Sequence, residues 1–126
     1  MLLRMIQGNR RTLGFLFADL RGYTAFVERQ GDAAAAGLLH DYRQLVREVV
    51  AKFGGAEIKT EGDSFYVVFQ SASSAVECGL ALIEQAADTT SRRPERPIHV
   101  GVGVHAGEVF LSHPGSTASL RRCFQR

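Results

Sequence analysis

Two aspartates stand where carboxylates could do chemistry. Asp19 closes an apolar run, "LGFLFAD", and a glycine-containing "RGYT" follows at once. Asp63 lies in "EGD", between the runs "AEIKT" and "SFYVVF", which together read as a tight hairpin. Carboxylates brought within a few ångströms of each other repel unless a cation lies between them. Mg²⁺ suits such a pair, because it takes few protein carboxylates and completes its shell with substrate phosphates. Beyond Asp19, the backbone N–H groups of Gly22, Tyr23 and Thr24 open a predicted short helix, a seat for phosphate oxygens. Metal on one side and amides on the other would form a triphosphate cradle. Taken singly, each aspartate has a plainer reading: Asp19 as a helix cap, Asp63 as a turn residue. Their joint occurrence at converging strand ends tilts the balance toward chemistry.

Lys59 is a further candidate. Of the 15 basic residues only Lys52 and Lys59 are lysines, so the chain otherwise reaches for arginine. On a strand four residues before Asp63, a point-charge donor could contact a base or a phosphate. An edge lysine that guards a strand is the competing reading. The other reactive residue types offer less. His99 and His105 are too far apart on a strand for a local metal pair, so packing or surface hydrogen bonding is expected of them. "GVGVHAG" has the wrong glycine spacing for a dinucleotide fingerprint, with no helix pattern after it. No nucleophile elbow is present.

The elements that must position these residues follow from periodicity. "TLGFLFAD" (Thr12 to Asp19) reads as a buried strand and "YTAFVERQ" as a short helix. Asp32 is the expected N-cap of a long helix whose apolar positions are Leu38, Leu39, Tyr42, Leu45, Val46, Val49, Val50 and Phe53. Gly54 and Gly55 end it. The hairpin comes next, then a helix over "SASSAVECGLALIEQAAD" that its serines cap and that ends near Thr89. "RRPERP" is a loop, and "IHVGVGVHAGEVF" is a strand. Ile98, Val100, Val102 and Val104 share one face of that strand; His99, Gly101, Gly103 and His105 share the other. The order β-α-β-β-α-β predicts an α+β fold, the ferredoxin-like split arrangement with an antiparallel sheet and helices on one face. The uncovered face must then meet something else, often a second copy. From Ser112 on the chain is turn-rich, then basic, without a clear period.

Composition bounds the rest. A chain of 126 residues supports one core, and 45% hydrophobic with 22% charged residues is ordinary for a globular domain. A net charge of +2 gives no field that would draw nucleic acid. Cys78 and Cys123 form no metal-type spacing, and Cys78 reads as a small core residue. "MLLRMIQGNRR" is too short and interrupted for a signal peptide or membrane span. The expected setting is cytoplasmic, with no membrane segment in this chain.

Three blocks, "FLFADLRGYTAF", "IKTEGDSFYVVF" and "IHVGVGVHAGEV", resemble the class III adenylate/guanylate cyclase catalytic domain in order and spacing. The resemblance covers Thr12 to Val109. It implies a nucleotide cyclase-like domain over 12–110, an N-terminal extension over 1–11 and a divergent basic tail over 111–126. It further implies a two-metal reaction at a homodimer interface, with Mg²⁺ or Mn²⁺ as the ions, that converts ATP to cyclic AMP and pyrophosphate in intracellular signalling. By position, Asp19 and Asp63 resemble the metal-binding aspartates. The backbone carbonyl of Leu20 resembles an added ligand, and Gly22, Tyr23 and Thr24 the phosphate-binding turn. Lys59 matches the lysine that reads adenine, which favours ATP over GTP, and by the family's geometry it serves aspartates of the partner subunit. After the "HAGEV" strand the resemblance stops. The family's "N-x-x-x-R" helix has no counterpart, since the sole asparagine is Asn9 and no aspartate follows Asp88. The expectation is a truncated or altered cyclase domain. A catalytically inactive nucleotide-binding or dimerisation fragment is the alternative. A receiver domain would need parallel β-α units, which the hairpin opposes. "EGDSF" does not match the diguanylate cyclase hairpin.

Overall fold

The structure is a computed structural model that describes residues 10–110. The expected N-terminal extension up to residue 9, the basic tail over 111–126 and Cys123 lie outside the described residues. In chain order the elements are β1 (Arg10–Leu20), α1 (Tyr23–Gln30), α2 (Asp32–Lys52), β2 (Ala56–Glu61), β3 (Ser64–Phe69), α3 (Ala72–Arg92) and β4 (Val100–Phe110). The sheet order is β2-β3-β1-β4 and every pairing is antiparallel. This is the split α+β arrangement expected from the sequence.

Strand alternation divides the sheet into two faces. Leu16, Ala18 and Leu20 of β1 and Phe65, Val67 and Phe69 of β3 join the core cluster with the buried residues of the helices. From α2 these are Ala35, Leu38, Tyr42, Val46, Val49 and Val50; from α3 they are Ala75, Cys78, Leu82 and Ala86. The spacing of three and four is the helical stripe read from the sequence. The opposite face carries Phe17, Asp19, Tyr66 and Lys59, since Phe17 pairs with Tyr66 and Tyr66 with Lys59. Burial pushes the Cys78 thiol up to about 11, so it behaves as a small apolar core group.

Several boundaries differ from expectation. Strand β1 runs over Arg10–Leu20 rather than Thr12 to Asp19, so residues 10 and 11 of the expected extension belong to the sheet. Asp32 is not the N-cap of α2: Gly31, at φ 90°, takes that position without a side-chain cap. Asp32 falls in the first turn instead, where its charge favours the helix dipole. Helix α3 runs to Arg92, beyond Thr89. The strand after it begins at Val100, not Ile98. Ile98 is tied instead to α3, because the Thr90 hydroxyl accepts from its N–H at 2.9 Å and donates to its carbonyl at 3.2 Å. The other end of α3 behaves as expected, with Ser71 Oγ accepting from the Ser74 N–H at 3.1 Å.

Candidate active site

Asp19 is the penultimate residue of β1 and lies directly opposite Gly101 of β4. Asp63 follows Gly62, which turns the β2–β3 hairpin at φ 56°. The Leu20 N–H donates to Asp63 Oδ2 at 3.2 Å, clasping the hairpin carboxylate to the residue after Asp19. The antiparallel β1–β3 pairing therefore brings the two sequence-predicted aspartates to one end of the sheet. The plainer reading of Asp19 fails, since the N-cap of α1 is Gly22, with no side-chain cap. Asp63 does lie in the hairpin turn, though the positive φ belongs to Gly62.

The site's charges are unevenly satisfied. Arg21 Nε approaches Asp19 Oδ1 to 3.3 Å, yet that oxygen is buried and makes no hydrogen bond among the described residues. A buried carboxylate oxygen without a hydrogen bond is costly unless a charge meets it. Asp19, with an oxygen that meets a charge but no hydrogen bond, lies at the same sheet end as Asp63, and the pair fits a divalent cation. No group of three His, Cys, Asp or Glu side chains converges among the described residues. An ion held here would complete its shell with phosphate or water oxygens, as Mg²⁺ characteristically does.

The glycine turn ahead of α1 has a defined geometry. Gly22 sits at φ 73°, a left-handed conformation that suits glycine, and opens α1. Its carbonyl takes the Phe26 N–H at 3.0 Å, so the intervening first-turn amides, those of Tyr23 and Thr24 among them, have no partner inside the helix. Those donors lie at the positive end of the helix dipole.

Lys59 is not brought to the aspartates of its own chain. It lies on the edge strand β2, on the same sheet face as Asp19 but separated from β1 by β3. Two strand spacings put about 10 Å between them before any offset along the strands. Its Nζ lies 3.4 Å from Glu61 Oε2 and 5.9 Å from the centre of the Tyr66 ring. The ring of His105 packs near that of Phe15, with centres 6.2 Å apart, as expected. His99 is exposed, and its backbone carbonyl accepts from the Arg21 N–H at 2.7 Å.

Three residues of the site escaped the sequence reading. Gly101 is required opposite Asp19, because a β carbon there would lie 2.5 Å from Asp19 Oδ1 and against the Arg21 guanidinium. The glycine-rich "GVGV" was the visible signal, but only strand register assigns it. Arg43 donates to the Gly62 carbonyl, and nothing in the sequence announces that. Tyr42, read only as an apolar position, is 0% exposed, and its hydroxyl has no hydrogen-bond partner among the described residues. Burial, reinforced by the charges of Asp63 and Asp19, holds that phenol well above the usual tyrosine range. Replacing Tyr42 by Phe removes an unsatisfied buried hydroxyl. The metal-free chain should gain about 1 kcal/mol in denaturant unfolding.

Comparison with known proteins gives this geometry its family. The model of the adenylate and guanylate cyclase catalytic domain matches residues 7–123. The chain belongs to that family. An adenylate cyclase of Streptomyces coelicolor is 30% identical over 113 residues, covering 87% of this chain and 28% of that protein. The crystal structure of the guanylyl cyclase Cya2 superposes with a TM-score of 0.71 at 28% identity, over 87% of this chain and 61% of the other. The adenylyl cyclase CyaB from P. aeruginosa gives 0.70 at 25% identity, over 80% and 58%. The chain spans only 12% to 24% of three further curated relatives. No helix among the described residues is long and apolar enough to cross a membrane.

Proposed function

We propose that this domain converts ATP to cyclic AMP and pyrophosphate at a site shared by two copies of the chain. Asp19 and Asp63 of one copy hold two divalent cations, Mg²⁺ or Mn²⁺, with the Leu20 carbonyl as an added ligand. The partner's Lys59 reads the adenine. The observation that carries this reading is the Leu20 N–H to Asp63 hydrogen bond, which holds the second carboxylate at the strand end that bears the first. Bound ions would neutralise the triphosphate and lower the pKa of the ribose 3′-hydroxyl. The chain's own share is positioning and electrostatics. The α1 amides of Tyr23 and Thr24 receive phosphate oxygens, and the carboxylates fix where positive charge gathers.

The relatives include both adenylyl and guanylyl cyclases by name, so their names do not choose the base. The match of Lys59 to the adenine-reading lysine favours ATP. The separation of Lys59 from Asp19 by a whole strand rules out a direct contact with that carboxylate, and the two-copy arrangement is what the family resemblance implies. A second reading is a nucleotide-binding module that holds metal-loaded ATP without turnover. Incubation of the purified chain with ATP and Mn²⁺ discriminates the two. Cyclic AMP that disappears in Asp63→Asn supports turnover, whereas Mn²⁺-dependent ATP binding with no product supports the module. Cyclic AMP that persists in Asp63→Asn removes the metal role.

A further inference from the structure

Helix α2 reaches the candidate site from behind. Two arginines one turn apart on it grip the two ends of β2. Arg47 forms a forked pair with Glu57 near the start of the strand, Nε to Oε1 and Nη2 to Oε2, both at 3.1 Å. Its guanidinium holds the Glu57 carboxyl below the usual range. Arg43 does something different at the other end. Its Nη2 and Nε both donate to the backbone carbonyl of Gly62, at 2.6 and 3.2 Å.

Gly62 precedes Asp63 and adopts the left-handed conformation that sets the direction of the turn. Asp63 is thus held from two sides: Arg43 fixes the peptide before it, and the Leu20 N–H fixes its carboxylate. A left-handed glycine is the softest point of a hairpin, because glycine tolerates so many other conformations. A rigid two-donor fork on its carbonyl suits arginine and not lysine, whose ammonium is a mobile point charge. The next residue inward, Tyr42, packs edge-on against Phe65 with ring centres 5.7 Å apart, which seats this turn of α2 beside the hairpin.

We propose that Arg43 is a positioning residue for Asp63 and that it sets the divalent-cation affinity of the site. This rests on the assignment of Asp63 as a metal ligand. Groups that orient a metal ligand typically account for 10–100-fold in metal affinity when removed. Arg43 acts through the Gly62 peptide and needs no contact with ion or nucleotide. Arg47, with the same side chain and the same helix-to-β2 bridging role but no grip on the turn, is the internal control.

The test is calorimetric titration of Mn²⁺ into the full chain in the presence of a non-hydrolysable ATP analogue, with thermal unfolding in EDTA measured alongside. Arg43→Ala should weaken Mn²⁺ binding by about 10–100-fold. Arg43→Lys, which keeps the charge and guards against a folding failure of the alanine variant, should recover only part of it. Arg47→Ala should leave Mn²⁺ affinity as in the parent. Arg43 variants that match the parent in Mn²⁺ affinity, while Asp63→Asn loses it, overturn the positioning role and leave the metal assignment standing. An equal loss in Arg47→Ala and Arg43→Ala also overturns it, since general loosening of α2 would then be the cause. Parent and Asp63→Asn chains with the same Mn²⁺ response overturn the metal assignment itself, and the role of Arg43 with it.

Discussion

Replacing Asp19 by Asn should abolish Mn²⁺-dependent ATP binding while leaving the fold intact. The Asp19 carboxylate has an oxygen that is buried, near Arg21 and without a hydrogen bond among the described residues, at the sheet end where the Leu20 N–H holds a second carboxylate. An amide of the same shape removes the negative charge a divalent ion needs and puts a donor near the Arg21 guanidinium. Loss of several kcal/mol of charge stabilisation corresponds to a fall in nucleotide affinity of about 10²-fold or more. In EDTA the variant should unfold within a few degrees of the parent, because the carboxylate pair loses mutual repulsion as well as its contact to Arg21. Fluorescent ATP titration with and without Mn²⁺ reads the first effect, and thermal unfolding reads the second. Unchanged Mn²⁺-dependent binding in Asp19→Asn would remove this residue from the site.

The largest expected stability effect lies at Gly14, away from the chemistry. Gly14 is on the helix-facing side of β1, and a β carbon there would collide with the Ser71 carbonyl oxygen. It would also come within 2.9 Å of both the Ala72 α carbon and the Ala75 β carbon. Ser71 is the N-cap of α3, and its carbonyl accepts the Ala75 N–H at 3.3 Å. Backbone at a helix start cannot step aside as a flexible side chain can. Overpacking against it should cost about 3 kcal/mol or more. Gly14→Ala is therefore expected to lower the midpoint of thermal unfolding by on the order of 10 °C. A fall of only a degree or two would mean that α3 slides along the sheet at little cost.

Much of this architecture was legible because local signals and the global fold agree. The long stripe from Leu38 to Phe53 has helical spacing throughout, and Gly54, at φ 72°, ends the segment where expected. "EGD" between two apolar runs specified the hairpin, and Gly62 supplies its left-handed residue. Asp19 and Asp63 could be paired because the split topology makes their strands neighbours. What remained illegible depends on register and tertiary reach. Asp32 was the obvious cap by residue type, but Gly31 at φ 90° already turns the chain, which shifts Asp32 into the helix. Ile98 has a strand-like pattern, yet Thr90 competes for its backbone groups. Gly101 matters only because it pairs with Asp19 on the neighbouring strand, and Arg43 only because α2 ends its reach at Gly62. No window of sequence contains either fact.

The Arg21–Asp19 pair changes what kind of event ion entry would be. Arg21 is mostly exposed, at 70% of its side-chain surface, while Asp19 is shielded at 28%. The domain therefore carries its own counterion on an exposed side chain. Arrival of a divalent ion would exchange one cation for another rather than fill a bare negative hole. Folding and loading would then be separable steps, unlike small domains that fold only around their metal. A guanidinium released in the exchange would stay tethered beside the carboxylates, where a polyanion would bring its own negative charge.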